Sequence, residues 1–324
     1  MRKYLPLLLL SFLIPATAFS QYYWDYGGQV GLTNYLGKIG GLEKTAQPFI
    51  LDMKLPETRW DIGGYVRYKL RDPFLIEADL DLLRISGADS LSTNPGRRGR
   101  NLNFRNTMVS LAVKGMWTFY ENSDLGHTYR FRNSFNSYLF LGVGMIYQNP
   151  QGYGDPPGGH GTGWYYLEPL HTGGENGYSL FVPTIPMGAG MYFTLSKIYR
   201  IGWELGWNYT FSRYLDDIGT DYPSAAQWAN MSPEAQYFSN RNPQLSPSAQ
   251  AQLEQQGVAY NNYGPGNTRG VRAGEANTLS RHESYLTSIF SFGYVIRGRS
   301  NFYRQHYKGI FNSHYHIRRN RAKF

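Results

Sequence analysis

Apolar and polar residues alternate with a period of two over much of the chain between Tyr22 and Ile296, most cleanly from Val182 to Asp217. Ile201, Trp203, Leu205, Trp207, Tyr209 and Phe211 take every other place, and Gly202, Glu204, Gly206, Asn208, Thr210 and Ser212 fill the gaps. Before them, Ile185, Met187, Ala189, Met191, Phe193 and Leu195 oppose Thr184, Pro186, Gly188, Gly190, Tyr192 and Thr194. Alternation at 180° per residue, broken by one short polar connection, predicts an antiparallel hairpin. Each run exceeds the ~5–6 residues of a soluble strand and matches the roughly 9–11 that a tilted strand needs to cross a bilayer. The polar face is mostly glycine and small hydroxyls, which suits a narrow, crowded lumen rather than a water-exposed sheet. Hydrocarbon offers no water to backbone groups, so such strands must belong to a closed barrel.

The same pattern predicts six further strands. Trp24, Tyr26, Val30 and Leu32 face outward in the first, and Trp60, Ile62, Val66, Tyr68 and Leu70 in the second, opposed by Asp61, Gly63, Tyr65, Arg67 and Lys69. After an Asp-Pro turn at 71–73, Phe74, Ile76, Ala78, Leu80 and Leu82 oppose Glu77, Asp79 and Asp81. Val109, Leu111, Val113, Trp117 and Phe119 then oppose Ser110, Ala112, Lys114, Met116 and Thr118. Both faces of the fifth strand, 137–147, are apolar; setting Leu139, Leu141, Val143, Met145 and Tyr147 outward puts Gly142 and Gly144 inside. The eighth, 283–296, sets Leu286, Phe290, Phe292, Tyr294 and Ile296 against Tyr285, Thr287, Ser291 and Gly293. The fold class is therefore all-β, an eight-stranded antiparallel transmembrane barrel of the outer-membrane type. Connections 71–73 and 196–200 are short, whereas 35–57, 86–103, 149–181 and 214–282 are long, as expected for periplasmic turns and extracellular loops. The connection 120–136 is longer than an inner turn requires. Within 214–282 one helix is predicted, with Ser246 as N-cap, Pro247 in its first turn and Gly257 beyond its end.

The chain's low mean hydropathy does not conflict with this reading, because lipid-facing and lumen-facing residues average out. Aromatic residues at 16% and 37 glycines fit it. Arg2 and Lys3, the apolar stretch from Leu5 to Ile14 and the small residues up to Ser20 read as a signal peptide over 1–20, cut before Gln21. The barrel body is expected over 21–296 and a basic periplasmic tail over 297–324. That tail holds much of the +9 net charge and no Asp or Glu. Cysteine is absent, which excludes disulfides, thiolate catalysis and Cys-ligated metal.

Eight strands enclose a lumen that side chains just fill, which disfavours a solute channel. If Leu70 pairs with Phe74, Arg67 falls opposite Glu77, with Lys69, Asp79, Asp81 and, from the fourth strand, Lys114 on the same inward face. These six form a predicted ionic cluster. A one-residue slip would turn Arg67 and Lys69 to lipid at roughly 2–4 kcal/mol each, so register is strongly specified. Asp79-x-Asp81 taken as a general acid/base pair competes with a salt-bridge cluster, and the cluster is preferred because its charge partners lie on the adjacent strand. Asp216-Asp217 is weighed as a divalent-cation or lipopolysaccharide-bridging site against a hydrogen-bonded turn at the rim, and the turn is preferred. His160, His171 and the pair His314 and His316 lack supporting carboxylate or thiol ligands. No recognisable catalytic constellation appears, and neither an enzymatic activity nor a cofactor is expected. The tail interleaves cations with aromatics; export makes nucleic acid an improbable partner, leaving outer-membrane lipid and lipopolysaccharide headgroups or a periplasmic protein.

Four segments carry a resemblance: NLNFR at 101–105, FLGVGMIY at 140–147, FVPTIPMGAGMYFTLS at 181–196 and GWELGWNYTFSRYLDDI at 202–218. They resemble the PorG family of outer-membrane barrels, part of the type IX secretion system of Bacteroidetes. The resemblance implies a non-enzymatic component that anchors the periplasmic ring of PorK-like and PorN-like proteins to the outer membrane, in support of protein export and gliding motility. Its contacts are expected at Arg71, Asp72, Lys197 and Arg200 of the inner turns and at Arg297, Arg299, Arg304, Lys308, Arg318 and Arg319 of the tail. The chain departs from the family pattern in a long insertion after Tyr222 and in that tail. The alternative is a barrel that displays its long loops for an extracellular ligand or surface adhesion.

Overall fold

The computed structural model describes residues 24–40, 53–125, 133–174, 177–196, 198–219, 222–257, 264–265 and 282–296. The expected signal peptide, Lys197, most of 258–282 and the whole tail, with its six contact candidates and His314 and His316, lie outside these residues.

Eight long strands are present: β1 (Trp24–Leu36), β2 (Arg59–Arg71), β3 (Phe74–Ala88), β4 (Asn103–Leu125), β5 (Asn133–Tyr147), β8 (Phe181–Leu195), β9 (Tyr199–Thr210) and β10 (Ser284–Ile296). A small hairpin, β6 (Gln151–Gly154) and β7 (Gly163–Tyr166), interrupts the connection between β5 and β8. All neighbours run antiparallel, and β10 pairs with β1 from Trp24↔Ile296 to Leu36↔Ser284, which closes the sheet into a barrel. No edge is left along the membrane-crossing part, as hydrocarbon demands.

The two faces divide as the alternation predicts. Val143 is 69% exposed and Leu141 61%, with Val30, Leu80, Leu111 and Phe290 around the same belt, while Glu77, Asp79, Lys114 and Met116 are buried inside. The ambiguous fifth strand takes the orientation that glycine dictates. A Cβ at Gly144 would lie 2.8 Å from Thr184 Oγ1 and 2.9 Å from the Ala112 Cβ, so only glycine fits at that inward place.

The connection over 120–136 differs from expectation. The ladder continues past Thr118 through Tyr120↔Ser137, Glu121↔Asn136 and Asn122↔Phe135 to Leu125↔Asn133, so most of that stretch is strand. The partner strand β3 stops at Phe74↔Trp117, and the β4–β5 hairpin therefore runs on beyond the rim at the short-turn end. Two register shifts in this stretch, after Thr118 and after Asn122, break the period-2 signal and hid the strand from the sequence pattern. Cross-strand rings hold its root: Tyr120 lies 6.0 Å from Phe135, and Phe135 4.7 Å from Phe193. A second difference is Leu286, which keeps its outward register place yet is buried. Its neighbour Asn34 donates to the Lys54 carbonyl at 2.7 Å, which sets the described end of the β1–β2 connection beside it.

At the opposite end the long connections fold into a cap. The connection 86–103, expected as a polar loop, contains α1 (Pro95–Arg100), capped by the Asn94 side chain. The 214–282 segment contains α2 (Ala225–Asn230), α3 (Pro233–Ser239) and α4 (Pro247–Gln255), each N-capped by a serine: Ser224, Ser232 and Ser246. The Ser246 helix is the one that the sequence predicted. Tyr165, Leu167 and Phe238 bury one another where α3 meets the β6–β7 hairpin.

A cation in the middle of the lipid belt tests the placement of the outer face. Val143→Arg is expected to destabilise the protein by about 2–4 kcal/mol in denaturant unfolding from lipid vesicles. A change below about 0.5 kcal/mol would mean that Val143 does not face hydrocarbon.

Candidate functional site

The lumen is where the strands bring opposite charges together, and it is closed in two layers. In the lower layer the register sets Arg67 against Glu77 and Glu77 against Lys114. Arg67 Nε donates to Glu77 Oε2 at 2.7 Å, and Lys114 Nζ lies 2.8 Å from Glu77 Oε1, 2.8 Å from Glu204 Oε1 and 3.6 Å from Asp79. Tyr138 donates to the other Glu204 oxygen at 3.1 Å. Nearest the short-turn end, Asp25 takes Arg67 at 3.7 Å and also pairs with Arg200, whose guanidinium lies over the Tyr192 ring at 4.2 Å. Asp81 accepts from Gln29 at 2.6 Å. Charges taken this far from water hold only when paired and hydrogen-bonded, as Glu77, Glu204 and Lys114 are here.

Two expected placements change. Lys69, expected in the lumen cluster, pairs with Asp72 at the β2–β3 turn and is partly exposed. The register shift between Lys69 and Arg71 lifts it toward the rim. Arg200 was expected at a periplasmic contact surface and instead points inward to Asp25, since its place on β9 shares the face of Gly202 and Glu204. Arg71 and Asp72 are exposed at the turn. Asp25, Glu204 and Tyr138 join the ionic layer without having been singled out from sequence. Their signal was available only as inward parity on β1, β9 and β5.

The upper layer is apolar. Leu83, Ile85, Phe104, Met108, Ile146, Val182 and Tyr285 converge on Leu215 and Ile218, both fully buried, so the segment 212–219 plugs the barrel mouth. Polar groups fix that segment. Lys38 Nζ donates to the carbonyls of Arg213 at 2.8 Å and Ile218 at 2.6 Å and lies 3.0 Å from Glu283, while Leu215 N donates to the other Glu283 oxygen at 2.7 Å. Burial first, and then the Asp216 carboxylate, push Glu283 up to about 8 against the pull of Lys38. Above the plug, Arg100 makes a bidentate pair with Asp89 at 2.8 Å on both sides, and the two are completely buried.

Asp216 and Asp217 form a hydrogen-bonded turn within this plug. Asp216 accepts from Ile218 N at 2.9 Å, Asp217 takes the Tyr178 hydroxyl at 2.9 Å and that of Thr172, and Asp217 adopts positive φ. His160 stacks on Tyr165 and His171 ends a short turn after Leu170, so the two do not converge. Among the described residues no group of three His, Cys, Asp or Glu is set to hold a metal ion. Asp79 and Asp81 border a void of about 20 Å³, shared with Asp61, Lys114 and Glu204, which has room for about one water and is too small for a substrate.

No protein-family profile and no curated protein matches the chain. Among solved structures, the N-terminal β-barrel domain of Pseudomonas aeruginosa OprF aligns at 10% identity over 86% of this chain and 100% of that one, with a TM-score of 0.28. Ail, the attachment invasion locus protein of Yersinia pestis, in complex with the heparin analogue sucrose octasulfate, aligns at 9% identity over 85% and 99%, with a TM-score of 0.31. Likenesses this weak leave the chemistry of the chain to its own residues.

Six inward carboxylates, Asp25, Asp61, Glu77, Asp79, Asp81 and Glu204, share three inward cations, Arg67, Lys114 and Arg200, so loss of a cation is the damaging change. Lys114→Met is expected to cost about 3–5 kcal/mol in denaturant unfolding, with partial recovery in Lys114→Met/Glu204→Gln. Equal stability of Lys114→Met and the parent would mean that the network does not hold the lumen shut.

Proposed function

We propose that this chain is an outer-membrane barrel that serves as a non-enzymatic anchor for the periplasmic ring of a type IX protein secretion machine. The observation that carries the anchoring part is the doubly closed lumen: a barrel filled by a salt-bridge layer and capped by a fixed plug offers its partners surfaces, not a passage. The extension of the β4–β5 hairpin past the rim supports a docking role at the same end as the short turns and the start of the basic tail. With that end in the periplasm, the folded cap stands outside the cell, which agrees with the usual placement of short turns and long loops. The name of the machine comes from the resemblance of β5, β8, β9 and the start of β4 to the PorG family. The ring's PorK-like and PorN-like proteins would meet Arg71 and Asp72, which are exposed, together with Lys197 and the tail cations.

A second reading draws on the cap. Three serine-capped helices, one of them packed on the β6–β7 hairpin, make a shaped outer surface, as a loop-displaying adhesion or ligand-binding barrel requires. The two readings separate in one experiment. Deletion of 298–324 is expected to weaken co-purification of the ring from detergent-solubilised membranes while the barrel keeps its heat-modifiable gel mobility. Unchanged recovery of the ring would remove the tail from the anchor, and absence of ring proteins from the intact chain's pull-down would favour the cap.

A further inference from the structure

The outer face of the barrel carries two arginines that the lumen and the plug do not use. Arg84 and Arg105 stand at outward-facing places on β3 and β4, where Arg84 is opposite Thr107 and Arg105 opposite Ser86. They are therefore diagonal neighbours on one face, within reach of each other for long side chains. Immediately below them on the same face are Leu82, Val109 and Ile62, each more than 40% exposed and part of the lipid-facing belt. Two tryptophans bracket the pair. The Arg84 guanidinium lies 5.3 Å from the Trp60 ring, and that of Arg105 lies 4.1 Å from Trp164 on the β6–β7 hairpin. Among the described residues each guanidinium hydrogen-bonds through its Nε: Arg84 donates to Thr107 Oγ1 at 3.0 Å and Arg105 to Gln151 Oε1 at 2.8 Å. Among the described residues neither forms an ion pair.

Two like charges set side by side, orientated by neighbours and left without a carboxylate, oppose folding unless an anion joins them. The terminal guanidine nitrogens are the fork that matches a phosphate. Their height, one place above the apolar belt and flanked by tryptophan, is where the headgroup layer of a bilayer meets a barrel. We propose that Arg84, Arg105, Trp60 and Trp164 form a binding site for the phosphate of a glycolipid in the surrounding outer leaflet, with its acyl chains on Leu82, Val109 and Ile62. The choice of leaflet rests on the orientation adopted for the outer-membrane anchor, whereas the phosphate site itself does not. The site secures the long-loop end of the barrel to its membrane and leaves the short-turn end for a protein partner.

The test uses the full chain refolded in detergent and native mass spectrometry with four probes: phosphorylated lipid A, dephosphorylated lipid A, phosphatidylglycerol and inorganic phosphate. Phosphorylated lipid A is expected to bind one per barrel. Removing its phosphates, or making Arg84→Gln/Arg105→Gln, should each weaken binding at least about tenfold, and Arg84→Lys/Arg105→Lys, which keeps the charge but loses the fork, should recover only part of it. Equal binding of the two lipid A forms, or an unchanged affinity in a heat-modifiable Arg84→Gln/Arg105→Gln variant, would overturn the site. Phosphatidylglycerol or inorganic phosphate binding as tightly as lipid A would overturn the glycolipid assignment. If the double glutamine variant does not fold, the comparison of the two lipid A forms on the parent chain decides alone. None of these readouts involves the secretion ring, so failure of ring co-purification and failure of lipid binding are told apart.

Discussion

Backbone amides and carbonyls inside hydrocarbon have no water to turn to, and the structure follows from that constraint. Each long strand satisfies its neighbour, and the ladder between β1 and β10 supplies the last partners, so the sheet must close. Closure at eight strands then fixes the diameter, and the diameter decides what the inside can be. Side chains fill it. Once the lumen is full, the choice is between packing it with apolar groups and packing it with paired charges, and this chain uses both at different heights. Charges occupy the half toward the short turns, where Arg67, Glu77, Lys114 and Glu204 lock four strands together. Apolar residues occupy the half toward the cap, where a returning loop is drawn in to cover them.

The two layers differ in what they demand of the sequence. Paired charges specify register sharply, because a slip of one place would send Arg67 into lipid and leave Glu77 alone. The apolar layer tolerates more, provided that volume is kept, but its plug depends on polar pegs such as Lys38 and Glu283 that reach across from distant parts of the chain. A barrel built this way is stiff at its base and covered at its mouth.

Much of the barrel was legible in advance because period-2 alternation is a local signal. Outward sets such as Phe74 to Leu82 and inward ones such as Glu77 and Asp79 could be read residue by residue, and the pairing of Arg67 with Glu77 followed from the position of one Asp-Pro turn. What escaped was non-local or broke the period. The β4–β5 extension was hidden by its register shifts, and Lys69 was misplaced by a bulge at the turn. Arg200 was read from its nearness to a turn in the sequence, when its parity with Glu204 already put it inside. The plug at 212–219 could not be foreseen, since Lys38, Leu83, Phe104 and Glu283 meet there only after the barrel has closed.

Conductance across a planar bilayer tests the closed lumen most directly. Purified protein inserted in the bilayer is predicted to pass no steady current above the bare-membrane baseline at ordinary salt and voltage. A stable, ohmic open level that scales with salt concentration would contradict the account, because it would require an aqueous path through both the ionic layer and the plug.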